Sequence, residues 1–586
     1  MNYIYITSVG KLFSIDSDWT IYEIKGDNKP DLSPLMTSKD YRLQRILVNG
    51  KPYYHLIIYS VKSKLTLSKL DENIPIILEF FDSILILNCK SYLNVILENH
   101  SESIDYTLIN LINGNPNEKF IFESQLKKSM ENLNDLLYKK EYGNKIKYFD
   151  KIKCKTVSSY FSYTSQKSRL DINLLELEDR IYDKNDTRYQ TANDMKPKDY
   201  FGRFGVAYNN INLASLDKLG ISIYQCESLC SFEEKEFSIH GGKGYTDMQS
   251  QFSALGESSE RYSSRNFGYE EVLRDSYHNI KARYNVLDPN ILELDANYIN
   301  EYKDNKIFEW SLAYDLTLNE SIYVPANTVY FPYNRSNEFM IHSHSTTGIA
   351  SGYYIEEAIL QGLLEVIERD SYSITHKAQL NIPNLNYVGN NETTNHLLDL
   401  CISNGVKVHL KLLDNKYSCY TVHCVLEDNE FPVYTHGSGT SMDIDTAINR
   451  AILEAFQMRT SQLQLKKNID QFEDNEQNIY MQWGNGNKAY CFNFLNHKED
   501  TTIFSSELNS RNTGNIKKDI KQIIRSLKIE GYRVLCADLS RIECPFKCVK
   551  VIIPGFQDID NYNTRNTNRL KKALKNKKIN SFPIFS

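Results

Sequence analysis

The pattern of apolar and polar positions divides the chain into two parts. In the first part, alternating runs such as residues 53–59 predict strands, and residues 124–140 predict an amphipathic helix. A polar segment at residues 183–199 predicts a linker, and long helical patterns follow it. We therefore expect a smaller mixed α/β N-terminal domain at residues 1–190 and a large α/β (α+β) domain at residues 191–586.

Two of the predicted helices carry a polar stripe rich in acids. In residues 355–369 the stripe spans roughly an 80° sector, and apolar residues cover the opposite side. Its members are Glu357, Gln361, Glu365 and Glu368. In residues 251–261 the helical spacing places a second polar set on one face. The members of this second set are Ser253, Glu257, Glu260 and Arg261.

A solvated helix face is the ordinary explanation of a charged stripe, but such faces usually alternate positive and negative charges. Residues 355–368 contain no Lys or Arg, and like charges at this spacing destabilise a helix by roughly 0.2–0.5 kcal/mol per pair. A hard divalent cation with oxygen ligands would neutralise the stripe. The pattern therefore favours a metal site over a solvated face.

The segment Glu-x-x-Glu-Arg occurs twice, at residues 257–261 and 365–369. Acids that hold a metal beside arginines that bind phosphate oxygens would explain this repeat. Carboxylates repel a triphosphate at short distance, and bound magnesium ions resolve the conflict by bridging the acids to the phosphates. The repeat thus predicts a site for a nucleotide and magnesium.

A third amphipathic helix is predicted at residues 447–459, with Asp445 or Thr446 as the capping residue. Its polar side carries Arg450, Glu454 and Gln457. A Gly-Gly-Lys-Gly turn at residues 241–244 precedes the first stripe; its glycines would let the backbone approach a phosphate, and Lys243 would add a positive charge. Because this is not the Gly-x-x-x-x-Gly-Lys-Ser/Thr pattern, a Walker-type site is excluded.

Composition excludes several classes of protein. With 41% hydrophobic and 24% charged residues the chain is typical of a globular protein, and its formal charge of -6 predicts no basic face for nucleic acid. The start lacks the pattern of a signal peptide, and polar residues interrupt the apolar run at residues 74–87. We therefore expect a cytoplasmic protein without nucleic-acid or membrane partners.

The 11 cysteines are scattered and odd in number, which favours reduced thiols over a disulfide framework. Two Cys-x-x-x-Cys pairs exist, and in principle they could meet at a zinc ion. They are Cys226 with Cys230 and Cys544 with Cys548. Since the spacing differs from that of zinc ribbons, we expect buried free thiols instead.

Taken in order, these segments resemble the YcaO family over roughly residues 196–586. The matching blocks are residues 242–244, 253–261, 345–352, 357–358, 365–369, 437–439, 450–459 and 551–555. Two positions depart from the family pattern: Thr347 replaces a frequent asparagine, and Tyr353 stands where relatives often have an asparagine near the metal. The end departs too, because Pro583 is the one proline left of the Pro-x-Pro-x-Pro that many azoline-forming relatives carry.

The resemblance implies ATP and Mg²⁺ as cofactors and assigns roles to individual residues. The implied magnesium ligands are Glu257, Glu260, Glu357, Glu365 and Glu368. The implied nucleotide-binding residues are Lys243, Ser253, Tyr353, Gln361, Arg450 and Glu454. Arg261 and Arg369 match phosphate-contacting arginines, and together with Glu260 and Glu368 they form the implied catalytic set. His342 and His344, which precede the matched turn, are expected to be structural.

The activity that the resemblance implies is ATP-dependent cyclodehydration of a ribosomally made precursor peptide. Cys residues, or Ser and Thr, would become thiazolines or oxazolines after phosphorylation of the amide oxygen. Formation of a thioamide or an amidine, or a nucleotide-binding scaffold without turnover, are the alternatives. Expected partners are a precursor peptide with a leader, a separate leader-recognition scaffold protein, a flavin dehydrogenase and a second copy of the chain in a homodimer. Residues 1–190 would serve docking or dimerisation.

Overall fold

The computed structural model describes ten strands of the first 160 residues by their backbone, and longer segments of the rest. The longer segments are residues 177–182, 207–229, 237–266, 270, 272–296, 298–333, 339–341, 345–414, 416–469, 484–486, 501–541, 544, 546–559 and 565–580. Several sequence predictions lie outside the described residues: the helix at 124–140, the linker at 183–199, His342, His344 and Pro583.

The chain forms two compact units, and the first comprises Met1–Ser165, Lys198–Tyr208 and Ser228–Ser238. Its strands are β1 Tyr3–Ile6, β2 Leu12–Ile15, β3 Ile21–Glu23, β4 Met36–Thr37, β5 Tyr41–Val48, β6 Lys51–Ile58, β7 Ile76–Glu79, β8 Ser83–Leu87, β9 Lys145–Asp150 and β10 Lys155–Tyr160. The first three strands form one sheet, and the other seven form a sheet in the order β10-β9-β8-β7-β6-β5-β4. Strand β6 confirms the strand predicted at residues 53–59.

The second unit comprises Gln166–Pro197, Asn209–Glu227 and Ile239–Ser586. The helices are α1 Asp247–Ser263, α2 Tyr277–Ile280, α3 Ile355–Lys377, α4 Glu392–Ser403, α5 Ile444–Ile469, α6 Ile516–Ile529 and α7 Asn568–Leu574. The remaining strands are β11 Tyr208–Asn212, β12 Ile223–Leu229, β13 Phe237–Lys243, β14 Val272–Ser276, β15 Ile307–Asp315, β16 Glu320–Pro325, β17 Ile349–Gly352, β18 Asn384–Asn386, β19 Lys407–Asp414, β20 Tyr420–Glu427, β21 Tyr434–Ser441, β22 Thr502–Phe504, β23 Leu535–Asp538 and β24 Lys547–Ile552. The domain boundary predicted near residue 190 stays a prediction.

Two larger sheets organise the second unit. One has the order β14-β15-β23-β24-β17, with β16 added to β15, and the other has the order β21-β20-β19-β18-β22. Helix α3 contacts strands of both sheets, whereas α5 packs on β21 and β20. The apolar side of α3, with Ile359, Leu363 and Ile367, is fully buried in a core that also includes Ile520 of α6 and Val549 of β24. Burial of this face holds the opposite, polar stripe of α3 at a fixed orientation.

Two glycines of β21 let α5 lie directly on the strand. A Cβ atom at Gly437 would lie 2.4 Å from the backbone nitrogen of Ala455, and one at Gly439 would lie 2.3 Å from the backbone oxygen of Ala447. Since α5 carries Arg450 and Glu454, this close approach fixes where both side chains can reach. The helix begins at Ile444, and the side chain of Asp443 accepts a hydrogen bond from the Thr446 N–H. The predicted caps Asp445 and Thr446 were therefore wrong by two or three residues.

The sequence predicts a turn at the Gly-Gly-Lys-Gly segment. The structure differs, because the first three residues of this segment end strand β13. A Cβ atom at Gly242 would lie 2.0 Å from the backbone oxygen of Ser250, and one at Gly244 would lie 2.7 Å from the Ser250 nitrogen. The two glycines therefore allow β13 to pack against the first turns of α1. Lys243 stands between them, and its side chain reaches Glu454 of α5.

Candidate active site

A cavity of about 1940 Å³ in the second unit brings most of the predicted site residues together. Helices α1, α3 and α5 supply most of its polar lining. Residues of strand β13 and of the end of β17 complete the lining. The lining includes Lys243, Ser253, Glu257, Glu260, Arg261, Tyr353, Gln361, Glu365, Glu368, Arg369, Arg450 and Glu454. Helices α1 and α3, which are far apart in sequence, thus present their Glu-x-x-Glu-Arg segments to one space. The roles of these residues as ligands remain predictions.

Glu357 is the predicted site residue that does not line the cavity. It lies in the first turn of α3, is fully buried, and accepts a hydrogen bond from the backbone N–H of Tyr353 at 2.8 Å. A carboxylate at this position accepts a hydrogen bond from a backbone N–H just before the helix. Its negative charge also interacts favourably with the positive end of the helix dipole. In this structure Glu357 therefore fixes the start of α3 and the position of Tyr353.

The two glutamates of α1 accept hydrogen bonds from residues of neighbouring strands. Glu260 accepts hydrogen bonds at 2.8 Å from both the backbone N–H and the hydroxyl of Ser351 in β17. Glu257 accepts one from the Gly241 N–H at 3.1 Å and one from Arg261 at 3.3 Å. Each carboxylate is thus positioned by a separate strand, and β13 and β17 belong to different sheets.

The acids of α3 and α5 face four cationic side chains. The Lys243 ammonium donates to Glu454 at 2.7 Å, and the Nε of Arg369 lies 3.6 Å from a Glu365 oxygen. Arg450 donates to the backbone oxygen of Thr440 at 3.0 Å and to the side-chain oxygen of Gln361. With Arg261, these cations surround the acidic stripe of α3.

Burial raises the pKa of several of these carboxyl groups. Desolvation, assisted by the charge of Glu365, raises the pKa of Glu260 to about 7. Desolvation and the charge of Glu454 raise the pKa of Glu368 to about 7, and burial also raises the pKa of Glu365. Burial would raise the pKa of Glu454 as well, but Lys243 and Arg369 outweigh it, so that this pKa is lowered. The cationic side chains therefore compensate Glu454 but not Glu260 or Glu368.

The lining fits a divalent cation together with a polyphosphate. Its acids are oxygen donors, which suit Mg²⁺. Among the described residues no three His, Cys, Asp or Glu side chains converge closely enough to form a complete metal cage. Mg²⁺ usually binds one or two carboxylates and takes its other ligands from phosphate and water. The Nε2 of Gln361 and the Nε of Arg369 are buried at the cavity without a hydrogen bond, and phosphate oxygens would accept from both.

Sequence reasoning missed two polar residues that support the acids. Ser351 lies in the block at residues 345–352 that resembles the family. Its contact with Glu260 depends on packing between distant segments, which the sequence does not show. Lys550 of β24 is buried, donates to the Ser345 backbone oxygen at 2.8 Å and is electrostatically coupled to Glu365. Burial lowers the pKa of Lys550 to about 8. A lysine inside the apolar run at residues 547–553 was the available signal.

A buried cluster of aromatic and imidazole rings lies close enough to Glu454 to interact with its charge. No motif or spacing in the sequence predicts this cluster. Tyr372 stacks on His423 with ring centroids 4.8 Å apart, and its hydroxyl lies 3.4 Å from Nδ1 of His436. Nδ1 of His423 lies 2.9 Å from the hydroxyl oxygen of Ser438. Burial lowers the pKa of His436 to about 3, so this imidazole is neutral at physiological pH.

The described cysteines at the Cys-x-x-x-Cys positions form no disulfide bond. Cys226, Cys544 and Cys548 are buried and unbridged, as predicted, while Cys230 lies outside the described residues. Over the described ranges, no helix combines the length and apolar character that a membrane crossing requires.

The raised pKa values predict a pH dependence for the metal-free protein. An unperturbed Glu titrates near pH 4.5, whereas Glu260 and Glu368 titrate near 7 in the folded state. Between these values the unfolded chain releases protons that the folded chain retains, so stability falls as pH rises from about 4.5 to 7 and is level above. We expect the free energy of unfolding to fall by on the order of 3 kcal/mol per group over this pH range. Thermal unfolding in the presence of EDTA, which keeps the protein free of metal, measures this change.

The matched control for this pH dependence is the double variant Glu260→Gln/Glu368→Gln, which lacks both titrating groups. Its stability should fall less than that of the wild type over the same pH range. Added Mg²⁺ with nucleotide should stabilise the wild type above pH 7 more than the double variant. Identical pH profiles of the two proteins would show that these carboxyl groups are not buried as described.

Comparison with known proteins identifies the family. The family model that matches residues 241–557 describes a YcaO cyclodehydratase that binds ATP and Mg²⁺. An uncharacterized protein of Methanothermobacter thermautotrophicus is 30% identical over 353 residues, which cover 59% of this chain and 88% of that protein. A solved heterocyclase in complex with substrate and cofactor has a TM-score of 0.65 at 19% identity and covers 83% of this chain and 73% of its own. The heterocyclase TruD has a TM-score of 0.57 at 16% identity, with 88% and 76% covered.

At these identities the two solved structures show the fold alone, and they confirm the predicted mixed α/β class. The family model covers more than half of the chain and confirms ATP and Mg²⁺ as cofactors. The lining described above agrees with both, because it combines carboxylate oxygens with donors for phosphate. The chain belongs to the YcaO family of ATP- and Mg²⁺-binding cyclodehydratases.

Proposed function

We propose that this protein uses ATP to convert Cys residues of a ribosomally made precursor peptide, and by the same chemistry Ser or Thr residues, to thiazolines or oxazolines. One observation carries the proposal: both Glu-x-x-Glu-Arg segments line one cavity with Lys243 and Arg450. Such a lining suits a triphosphate better than it suits an uncharged ligand. The description of the family as cyclodehydratases supports ring formation by loss of water.

The proposed reaction has two stages. First, the thiol or hydroxyl of the substrate residue attacks the preceding backbone carbonyl carbon and loses its proton, which leaves a tetrahedral oxyanion. This oxygen takes the terminal phosphoryl group of ATP, and ADP leaves. Second, the amide N–H proton is lost as the C–O bond breaks, so that the original carbonyl oxygen departs as phosphate and a C=N bond forms. Phosphorylation thus converts a poor leaving group into a good one.

The residues of the chain have distinct roles in this proposal. Arg261 and Arg369 bind the phosphoryl oxygens, and Lys243 and Arg450 orient the rest of the triphosphate. The Glu260 and Glu368 carboxylates hold the magnesium ions, with Glu257 and Glu365 beside them. When bound, Mg²⁺ neutralises charge that develops during phosphoryl transfer.

We further propose that the protein works with partners. The substrate carries a leader peptide, which a separate scaffold protein recognises, and a flavin dehydrogenase oxidises the rings afterwards. The unit that contains most of residues 1–190 serves docking or homodimerisation. These proposals rest on the resemblance of the chain to peptide-modifying members of the family.

The activity can be measured by mass spectrometry. The protein is incubated with ATP, Mg²⁺, a Cys-containing precursor peptide that carries a leader, and a candidate leader-recognition scaffold protein. We expect a mass loss of about 18 Da per ring, because net dehydration accompanies ATP-driven amide activation. Omission of ATP, or the Glu368→Gln variant, should leave the peptide mass unchanged. Absence of any loss with every leader-bearing peptide and partner would disprove the cyclodehydratase function.

The same experiment separates the alternatives. A thioamide would replace oxygen by sulfur and raise the mass, which requires a sulfur-donating partner. A macrocyclic amidine would also lose water but would leave the Cys thiol open to alkylation by iodoacetamide, whereas a thiazoline consumes the thiol. A scaffold without turnover would bind ATP and release no phosphate.

A further inference from the structure

An apolar strip runs along one wall of the cavity, and the chemistry proposed above does not use it. We define it by five residues: Tyr245, Met248 and Phe252 of the α1 region, Tyr353 after β17, and Phe546 before β24. All five line the same cavity as Glu260. The strip therefore belongs to the candidate active site but has no role in holding phosphate or metal.

The inner end of the strip is a rigid cluster of three rings. Tyr353 contacts Phe546 edge-on with ring centroids 5.1 Å apart, and Phe252 contacts Tyr353 in the same manner at 5.6 Å. Phe546 is buried to 97%, since its exposed fraction is 3%. The hydrogen bond from the Tyr353 N–H to Glu357 fixes the backbone that carries this ring. Edge-on aromatic clusters of this kind present a firm apolar surface.

The outer end of the strip is exposed. Met248 is 56% exposed and Tyr245 is 41% exposed, although both are large apolar side chains at the mouth of the cavity. Residues 245–256 contain no Lys or Arg, and Asp247 is their one acid. A polyanion would find no counter-charge on this stretch, whereas apolar side chains of a ligand would lose water-exposed surface on it.

Helix geometry relates the strip to the candidate catalytic acids. Phe252 and Glu260 are eight residues apart on α1, which corresponds to about 12 Å at 1.5 Å per residue. An extended peptide advances about 3.3–3.6 Å per residue, so this distance equals roughly three or four peptide residues. A peptide whose amide lies beside Glu260 therefore places the side chain of its third or fourth neighbour on the aromatic cluster.

We propose that this apolar strip selects the substrate by binding an aromatic or large aliphatic side chain three or four residues from the modified amide. This inference rests on the proposed peptide substrate. It assigns Tyr353 to the peptide rather than to the nucleotide, contrary to the role that the family resemblance implies. The occupant is a peptide because the strip carries no positive charge for a phosphate and leads from exposed apolar side chains toward the acids.

The test compares the affinities of three synthetic Gly/Ser peptides that each contain one Cys. One has Phe four residues before the Cys, one has Phe four residues after it, and one has Ser at both positions. Binding is measured by fluorescence anisotropy with Mg²⁺ and a non-hydrolysable ATP analogue. We expect one Phe peptide to bind the wild type about tenfold more tightly than the Ser peptide, as one apolar group in a pocket contributes roughly this factor.

The variants Met248→Ala and Tyr353→Asn should lose this preference. Met248 is exposed, so its truncation leaves the fold intact even if Tyr353→Asn disturbs the aromatic cluster. Ile529→Ala is the matched control, because Ile529 is 75% exposed at the end of α6 and lies outside the cavity lining, and it should keep the preference. The affinity for the ATP analogue should be the same in the wild type, Met248→Ala and Ile529→Ala.

Three results would overturn the inference: equal affinities of the peptides for the wild type, a preference that survives in Met248→Ala, or a fall in affinity for the ATP analogue in that variant instead. The last result would assign the strip to the nucleotide base. Failure of the proposed function gives a different pattern, in which the Phe peptide binds selectively but no leader-bearing substrate loses mass in the presence of ATP.

Discussion

Replacement of Glu260 or Glu368 by glutamine is expected to lower the rate of ATP hydrolysis by about a thousandfold, a magnitude typical of the loss of one preorganised electrostatic contact in phosphoryl transfer. Both carboxyl groups face the cavity, and neither is neutralised by the cationic side chains around it. Glutamine keeps the size of the side chain but cannot supply the negative charge that holds Mg²⁺. Phosphate release with saturating ATP and Mg²⁺ measures the effect.

The same substitutions should leave the fold intact, and this separates a catalytic role from a structural one. Because the pKa of each group is raised to about 7, the protonated carboxyl groups of the metal-free protein already resemble a neutral amide. Melting temperatures above pH 7 should therefore equal or exceed that of the wild type. Glu507→Gln, at an exposed position outside the lining, is the matched control and should hydrolyse ATP normally. Normal hydrolysis in both Glu260→Gln and Glu368→Gln would show that the metal site lies elsewhere.

The acidic stripes could be predicted from the sequence because they depend on local rules. Helical periodicity places Glu365 and Glu368 on one face of α3, and the absence of Lys and Arg from residues 355–368 predicts an external cation. The Glu-x-x-Glu-Arg repeat predicts a nucleotide with magnesium, and the family resemblance implies that the nucleotide is ATP. Periodicity alone could not show that α1 and α3 face the same cavity, since that depends on how both helices pack on β17 and β24.

The surroundings of several groups are set by distant segments, and the sequence alone does not show them. Gly242 and Gly244 had been interpreted as a phosphate-binding turn, whereas their lack of a side chain admits α1. Glu357 shares the periodicity of Glu365 but lies in the first helical turn, where a backbone N–H group competes for its carboxylate. The contact of Glu260 with Ser351 spans 91 residues, so that no local pattern announces it.

The stability of α3 should depend on a buried ion pair directly after the Glu-x-x-Glu-Arg segment of this helix. The Asp370 side chain is 1% exposed and binds the Arg569 guanidinium of α7 through two nitrogens, at 2.6 and 3.1 Å. It also accepts the Gln557 N–H at 2.7 Å. The guanidinium lies over the ring of Phe556, 4.5 Å from its centre. This pair thus joins α3 to the C-terminal helix.

Arg569→Met is therefore expected to destabilise the second unit by about 3–5 kcal/mol, because it leaves the Asp370 carboxylate buried without its charge partner. The double variant Asp370→Asn/Arg569→Met should recover part of the loss, since two neutral groups are less costly to bury than one unpaired charge. Arg283→Met breaks a solvent-exposed pair with Asp275 and should have no measurable effect. Urea unfolding of the full chain measures all three, and an Arg569→Met transition at the wild-type urea concentration would contradict the prediction. Arg369 directly precedes Asp370, and its Nε lies 3.6 Å from a Glu365 oxygen. Destabilisation of α3 in Arg569→Met should therefore also reduce ATP turnover. Recovery of turnover in the double variant would show that the unpaired Asp370 charge causes this effect.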